Sequence, residues 1–139
     1  MNYEESFGTI PLNKQNGIWQ TYLVKNKSGN HWGFPKGHAN LSETQKETAL
    51  RELKEETNLS VLKFLSEEPL VEQYSFKRDS NLIAKKVYYY LVEVSFAAKI
   101  TSDEILDGKW VEISKAKDLI TYDASKEIAN QVEIFLEKL

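Results

Sequence analysis

The stretch SETQKETALRELKEETN, residues 42–58, reads as a helix with two unlike sides. Ser42 suits the N-cap, and Gln45 three residues on completes an S-x-x-Q capping box. The helix is predicted over about 43–57, with Asn58 placed where a left-handed turn ends it. At 100° per residue, Glu52, Glu55 and Glu56 share an arc of roughly 100°. Ala49, Leu50 and Leu53 occupy the adjacent arc, which should pack on a sheet. Glu47 and Lys54 face the other way, toward solvent. Three carboxylates on one arc repel one another, and no lysine at i+4 dilutes them on that arc. Two readings follow: a solvated charged face, or a set of oxygen donors for a hard divalent cation such as Mg2+. The cation would remove the repulsion.

The rest of the chain builds a sheet around this helix. Residues 6–12 and 17–25 read as strands, and 26–30 as a loop. His31 to Phe34 is a short apolar stretch stopped by Pro35, followed by a loop over 36–41. Strands are expected at 61–65, 71–77, 86–96 and 108–113, the middle two rich in Val, Tyr and Phe. Ser114 should cap a short helix reaching about Ile120, and Asp123 a longer one over about 123–138. Strands interleaved with few helices indicate an α/β or α+β sandwich with a mixed sheet.

Composition narrows the function. The chain has 139 residues, 41% of them hydrophobic and 28% charged, which fits one soluble domain over 1–139 rather than a disordered chain. Eighteen Lys and Arg against 21 Asp and Glu give a net charge of −3. A broad basic surface for long nucleic acid is therefore not expected. With no Cys and two His, thiolate and H-E-x-x-H metal sites are excluded, so any metal must be held mostly by oxygen. The N-terminal residues lack the basic start and apolar core of a signal peptide, and no run suffices for a membrane span. A cytoplasmic location without membrane contact is the expectation. Oligomeric state is not readable.

The spacing around the acidic helix is distinctive. Five residues separate Gly37 from Glu43, and seven separate Glu43 from Arg51-Glu52-Leu53-Lys54-Glu55-Glu56-Thr57-Asn58-Leu59. This resembles the Nudix hydrolase signature G-x5-E-x7-R-E-U-x-E-E-x-G-U, with Asn58 in place of the second glycine. At about 7% per residue, six fixed matches would arise by chance at roughly one start in ten million. The segment from Trp32 to His38 resembles the W-x-x-P-K-G-H of the asymmetric diadenosine tetraphosphate hydrolases. The strand beginning Lys85-Lys86-Val87 resembles their K-x-V-x-Y-[YW]-L, and Ser102, Glu104 and Trp110 fit their S-x-E-x5-W loop.

The resemblance implies a Nudix-type α/β/α sandwich with a central mixed sheet. It implies an enzyme that uses Mg2+, or alternatively Mn2+, to hydrolyse a small nucleoside polyphosphate with metal-activated water. Glu52, Glu55 and Glu56 would be metal ligands, joined by the carbonyl of Gly37. Arg51 and Glu43 would pair to hold the loop onto the helix. Glu52, Glu55 and Glu104 are the candidate acids of catalysis, with the general base left open, and Arg51 joins them in the catalytic set. Lys36, His38 and Lys85 would meet phosphate, and Tyr74, Phe76 or Tyr89 would stack on adenine. Relatives often carry an aromatic residue where this chain has Gly108. The leading substrate is diadenosine tetraphosphate, cut to ATP and AMP. The alternatives are RNA 5′ ends or (deoxy)nucleoside triphosphates, and, in a different class, a nucleotide-sensing module that binds without cutting.

Overall fold

Two tight hairpins organise the sheet. The computed structural model describes residues 2–139. Strands β1 (Asn2–Gln15) and β2 (Ile18–Asn26) are joined by Asn16 and Gly17, at φ 52° and 79°. A two-residue hairpin loop that matches strand twist favours positive φ, and Asn-Gly adopts it at least cost. Gly17 therefore belongs to the turn, and both strands run up to it, so β1 is longer than the predicted 6–12.

Beyond the short strands β3 (His31–Gly33), β4 (Lys36–Gly37) and β5 (Val61–Phe64), the second hairpin joins β6 (Leu70–Arg78) to β7 (Asn81–Val94). Asp79 and Ser80 close it, at φ 50° and 67°. Strand β8 (Ile105–Glu112) completes the set.

Register shows where space opens. β7 runs parallel to β1 from Asn2↔Ile83 to Leu12↔Glu93 and occupies one edge of β1. The other edge of β1 pairs with β2 only at Leu12–Gln15, and with β4 at Phe7–Gly8. β8 holds one edge of β2, so β3 pairs with the same edge of β2 that β1 uses lower down. β1 and β2 thus splay apart, and β3 and β4 fill the wedge. Gly8 permits this: a Cβ there would stand 2.2 Å from the Pro35 carbonyl oxygen, whose residue precedes β4. The far edge of β7 pairs with β6 and β5.

Strand alternation sends side chains into two cores. Ile10, Leu12, Leu23, Val87, Tyr89 and Leu91 pack on one face against Ile128 and Val132 of α3 (Asp123–Glu137). Short α2 (Ala116–Leu119) precedes α3 on that side. Phe7, Tyr22, Val24, Tyr90, Val92 and Val94 pack on the other face against Ala49 and Leu53 of α1 (Gln45–Thr57). Leu50 is only half-buried.

The start of α1 differs from expectation. Thr44 is the N-cap, accepting from the Glu47 amide while the Glu47 side chain accepts from the Thr44 amide. Ser42 lies at φ 71°, outside the extended conformation a cap residue needs, and Gln45 instead accepts from the Tyr90 hydroxyl. The helix therefore begins at Gln45. Asn58 does end it in the left-handed region, at φ 60°. Neither Ser114 nor Asp123 caps by its side chain: residues 113–115 form a 3-10 turn, and Asp123 is the first residue of α3. Among the described residues, no helix is long and apolar enough to cross a membrane.

Candidate active site

Arg51 organises the loop between β4 and α1. Its Nε donates to Glu43 Oε2 at 2.6 Å and its Nη2 to Glu43 Oε1 at 3.1 Å, a two-pronged pair. Nη2 also donates to the His38 carbonyl at 2.9 Å. Glu43 Oε1 further accepts from the Asn40 amide and the Thr48 hydroxyl. This network fastens residues 38–43 to the first turns of α1. The guanidinium pulls the Glu43 carboxyl down to about 2.

On the same helix, Nη1 of Arg51 donates to Glu52 Oε1 at 3.2 Å and to both oxygens of Glu55 at 3.2–3.3 Å. Glu55 is exposed, Glu52 is half-buried, and Glu56 is 5% exposed. Burial, then the charge of Glu52, pushes the Glu56 carboxyl up to about 9, against an ordinary 4.5. Burial and the adjacent Glu55 push Glu52 to about 7. The charge of Glu104, on the loop before β8, adds to both shifts. Its loop is held by its own amide donating to Ser102 Oγ and its carbonyl accepting from the Lys27 amide.

Two features fit these residues to a divalent cation. Glu56 Oε1 is buried with no hydrogen-bond partner. The Glu52 carboxylate lies against Gly37, where a Cβ would stand 1.5 Å from Oε2. A buried, unpartnered carboxylate oxygen, with a second carboxylate packed on the half-buried Gly37, suits a hard cation. Among the described residues no three of these side chains converge on one centre. Arg51 draws Glu52 and Glu55 toward itself instead.

A cleft of about 560 Å³ opens on the opposite face of the sheet, beside the wedge. Lys36, Lys85, Tyr74, Phe76 and Tyr89 all line it. The rings of Tyr74 and Phe76 stand 6.0 Å apart, and burial raises the Tyr74 phenol to about 12. Burial, reinforced by Lys36, lowers Lys85 to about 8. Lys85 is 8% exposed and, among the described residues, has no ion-pair partner within 4.0 Å.

Two expected substrate contacts sit differently. Tyr89 is 1% exposed and packs edge-on against Phe34, so it forms the cleft floor and has no open ring face. His38 is exposed, lies outside the cleft lining, and donates from Nδ1 to the Glu5 carbonyl. At Gly108 a Cβ would meet the Tyr22 hydroxyl at 2.0 Å, so the Tyr22 ring covers the space an aromatic side chain there would need. The cleft also contains His31 and Trp32, from the stretch that opens the W-x-x-P-K-G-H segment, and Glu72, Tyr122 and Ser125, which the sequence motifs do not single out. Glu72 shares the period-2 face of Tyr74 and Phe76, and that alternation was the available signal.

Fold and site together define the class. A model of the NUDIX domain matches residues 3–131, and the chain belongs to that family. It is similar to the asymmetrical bis(5′-nucleosyl)-tetraphosphatase of Rattus norvegicus, 32% identical over 112 residues covering 76% of this chain and 72% of that one. It is also similar to the RNA pyrophosphohydrolase of Nitratiruptor, 37% identical over 103 residues covering 66% of this chain and 63% of that one. A longer Mycobacterium tuberculosis relative is matched over 43% of its length. In fold, the C. elegans Ap4A hydrolase in a binary complex matches with TM-score 0.74, at 21% identity, over 97% of this chain and 98% of that one.

Proposed function

We propose that the protein is an Mg2+-dependent hydrolase of dinucleoside polyphosphates that cuts diadenosine tetraphosphate asymmetrically, to ATP and AMP. Lys36 carries this reading. It lines the cleft with His31, Glu72 and Lys85, and the next residue of its strand, Gly37, has the Glu52 carboxylate of the acid cluster packed against it. It therefore stands between the two halves of the site, on the strand next to Gly37. A phosphate chain bound by Lys36 and Lys85 would run from the cleft to the carboxylates. The cleft volume suits one nucleoside at its end.

Glu52, Glu55 and Glu56, with the Gly37 carbonyl, would hold the divalent cation. When bound, it supplies charge neutralisation at phosphate oxygens and a more acidic water. Arg51 keeps the loop on the helix and holds Glu52 and Glu55 in place. Lys36 compensates charge that grows on the phosphate oxygens in the transition state. A carboxylate of the cluster, Glu52, Glu55 or Glu104, takes the proton from the attacking water. Tyr74, with Phe76 beside it, offers a ring face to the adenine.

A second reading, removal of pyrophosphate from triphosphorylated RNA ends, draws on one observation. Tyr22 fills the space above Gly108 where a second aromatic platform would stand. Product analysis with Mg2+ separates the two. ATP plus AMP from diadenosine tetraphosphate, formed faster than pyrophosphate from triphosphorylated RNA, is the expected result. The reverse order would replace the first reading by the second.

A further inference from the structure

The cleft contains a carboxylate that the phosphate chemistry does not use. Glu72 is 4% exposed, on the same face of β6 as Tyr74 and Phe76. Ser125, in the first turn of α3, donates to its Oε1 at 2.6 Å. Among the described residues its Oε2 accepts no hydrogen bond, and unlike the Glu56 oxygen it is not sealed off but reaches the cleft. Lys36 and Lys85 are near enough to act on it by charge, yet neither comes within 4.0 Å. A carboxylate here repels phosphate, so it works against the chain that the two lysines attract.

Its position suits the other end of a nucleotide. Alternate residues on a strand lie roughly 7 Å apart, so Glu72 sits one side-chain step below the Tyr74 ring. The His31 and Tyr122 rings, 5.0 Å apart, line the same cleft from β3 and the start of α3. A planar base placed among these rings turns its edge to the floor, where the free oxygen of Glu72 waits for a donor. A desolvated acceptor without a donor is costly, so an edge lacking N–H is disfavoured.

We infer that Glu72, held by Ser125, is the residue that selects the base, accepting a hydrogen bond from the adenine 6-amino group. The inference rests on the proposed placement of a nucleoside in this cleft. Binding of AMP, which has no anhydride to cut, tests it on the full chain with Mg2+ present. The comparison ligands are purine riboside 5′-monophosphate, which lacks only the amino group, and ribose 5-phosphate, which lacks the base.

AMP should bind about 10- to 100-fold more tightly than purine riboside monophosphate, the range for a hydrogen bond to a charged group. Glu72→Leu, close in volume and without an acceptor, should bring that ratio below about threefold while both ligands still bind. Ser125→Ala leaves the carboxylate but frees its torsions, and should give an intermediate ratio. This variant also serves if Glu72→Leu fails to fold. Equal binding of the two purine ligands by the wild type overturns the inference and leaves the proposed function standing. So does a ratio unchanged in both variants. If AMP binds no better than ribose 5-phosphate, the nucleoside is not in the cleft, and the inference falls with that reading.

Discussion

Replacing Glu56 by Gln should stabilise the protein in the presence of a chelator and destroy its response to Mg2+. Glu56 is 5% exposed, one of its oxygens has no partner, and its carboxyl is raised from 4.5 to about 9. A carboxyl raised on folding favours the folded state fully below pH 4.5, and that advantage is lost as pH rises through about 9. At pH 7 the folded chain must keep a proton that the unfolded chain has released. The interval from 4.5 to 7, at about 1.4 kcal/mol per pH unit, amounts to about 3 kcal/mol. Gln avoids that uptake but brings an amide whose donors lack partners, which offsets about 1 kcal/mol. A net gain of about 2 kcal/mol corresponds to a Tm rise of roughly 4–8 °C for a domain of this size. Thermal melts with EDTA near neutral pH, and again below pH 4.5 where the advantage should vanish, measure it. Added Mg2+ should raise the wild-type Tm and leave Glu56→Gln unmoved, and hydrolysis should fall by about 10²-fold or more. A variant less stable than the wild type in EDTA, or one equally stabilised by Mg2+, would refute the reasoning.

Arg51→Ala unties the loop from α1, so Tm and activity should fall together, activity by about 10- to 100-fold. Because Arg51 holds Glu43 down at about 2, the pair supports stability above pH 4.5 and is lost as pH falls toward 2; acid titrations should show the variant unfolding at higher pH, and coincident curves would leave Arg51 no such role. Gly37→Ala places a methyl 1.5 Å from Glu52 Oε2, and the flexible carboxylate must yield. Calorimetry should then show Mg2+ affinity reduced by about tenfold or more with the fold intact, and unchanged affinity would remove Gly37 and Glu52 from the metal site. Lys36→Ala should mainly lower kcat, whereas Tyr74→Ala should mainly raise KM by roughly 5- to 150-fold, or about 1–3 kcal/mol; steady-state kinetics on diadenosine tetraphosphate reads both, and an exchange of these effects would contradict the placements.

What could be read from the linear chain was whatever depends on local spacing. The arc of Glu52, Glu55 and Glu56 follows from helical periodicity, as does the buried stripe through Ala49 and Leu53. Asn58 at the helix end follows from its tolerance of positive φ, and the faces of Lys85, Val87 and Tyr89 follow from strand alternation. The helix start was misplaced by two residues because Ser42 and Thr44 are both good caps. Only the loop held by Glu43 and Arg51 puts Ser42 at positive φ and leaves Thr44 extended.

Tertiary structure alone decided which alternating residues lie open. Tyr74 and Tyr89 have equal claims by pattern and both line the cleft, yet Tyr89 is packed under Phe34 and fully buried while Tyr74, on β6, is only half-buried. His38 has a ligand's chemistry, but the course of β4 along β1 sends it to the Glu5 carbonyl. Glu72 and Ser125 are 53 residues apart, and nothing in either neighbourhood announces the other. Their contact exists because α3 packs across the face of β6. Lys36 lines the cleft one residue before Gly37, where Glu52 packs, because the splay of β1 and β2 seats β4 between them, and that wedge is set by pairings among strands far apart in sequence.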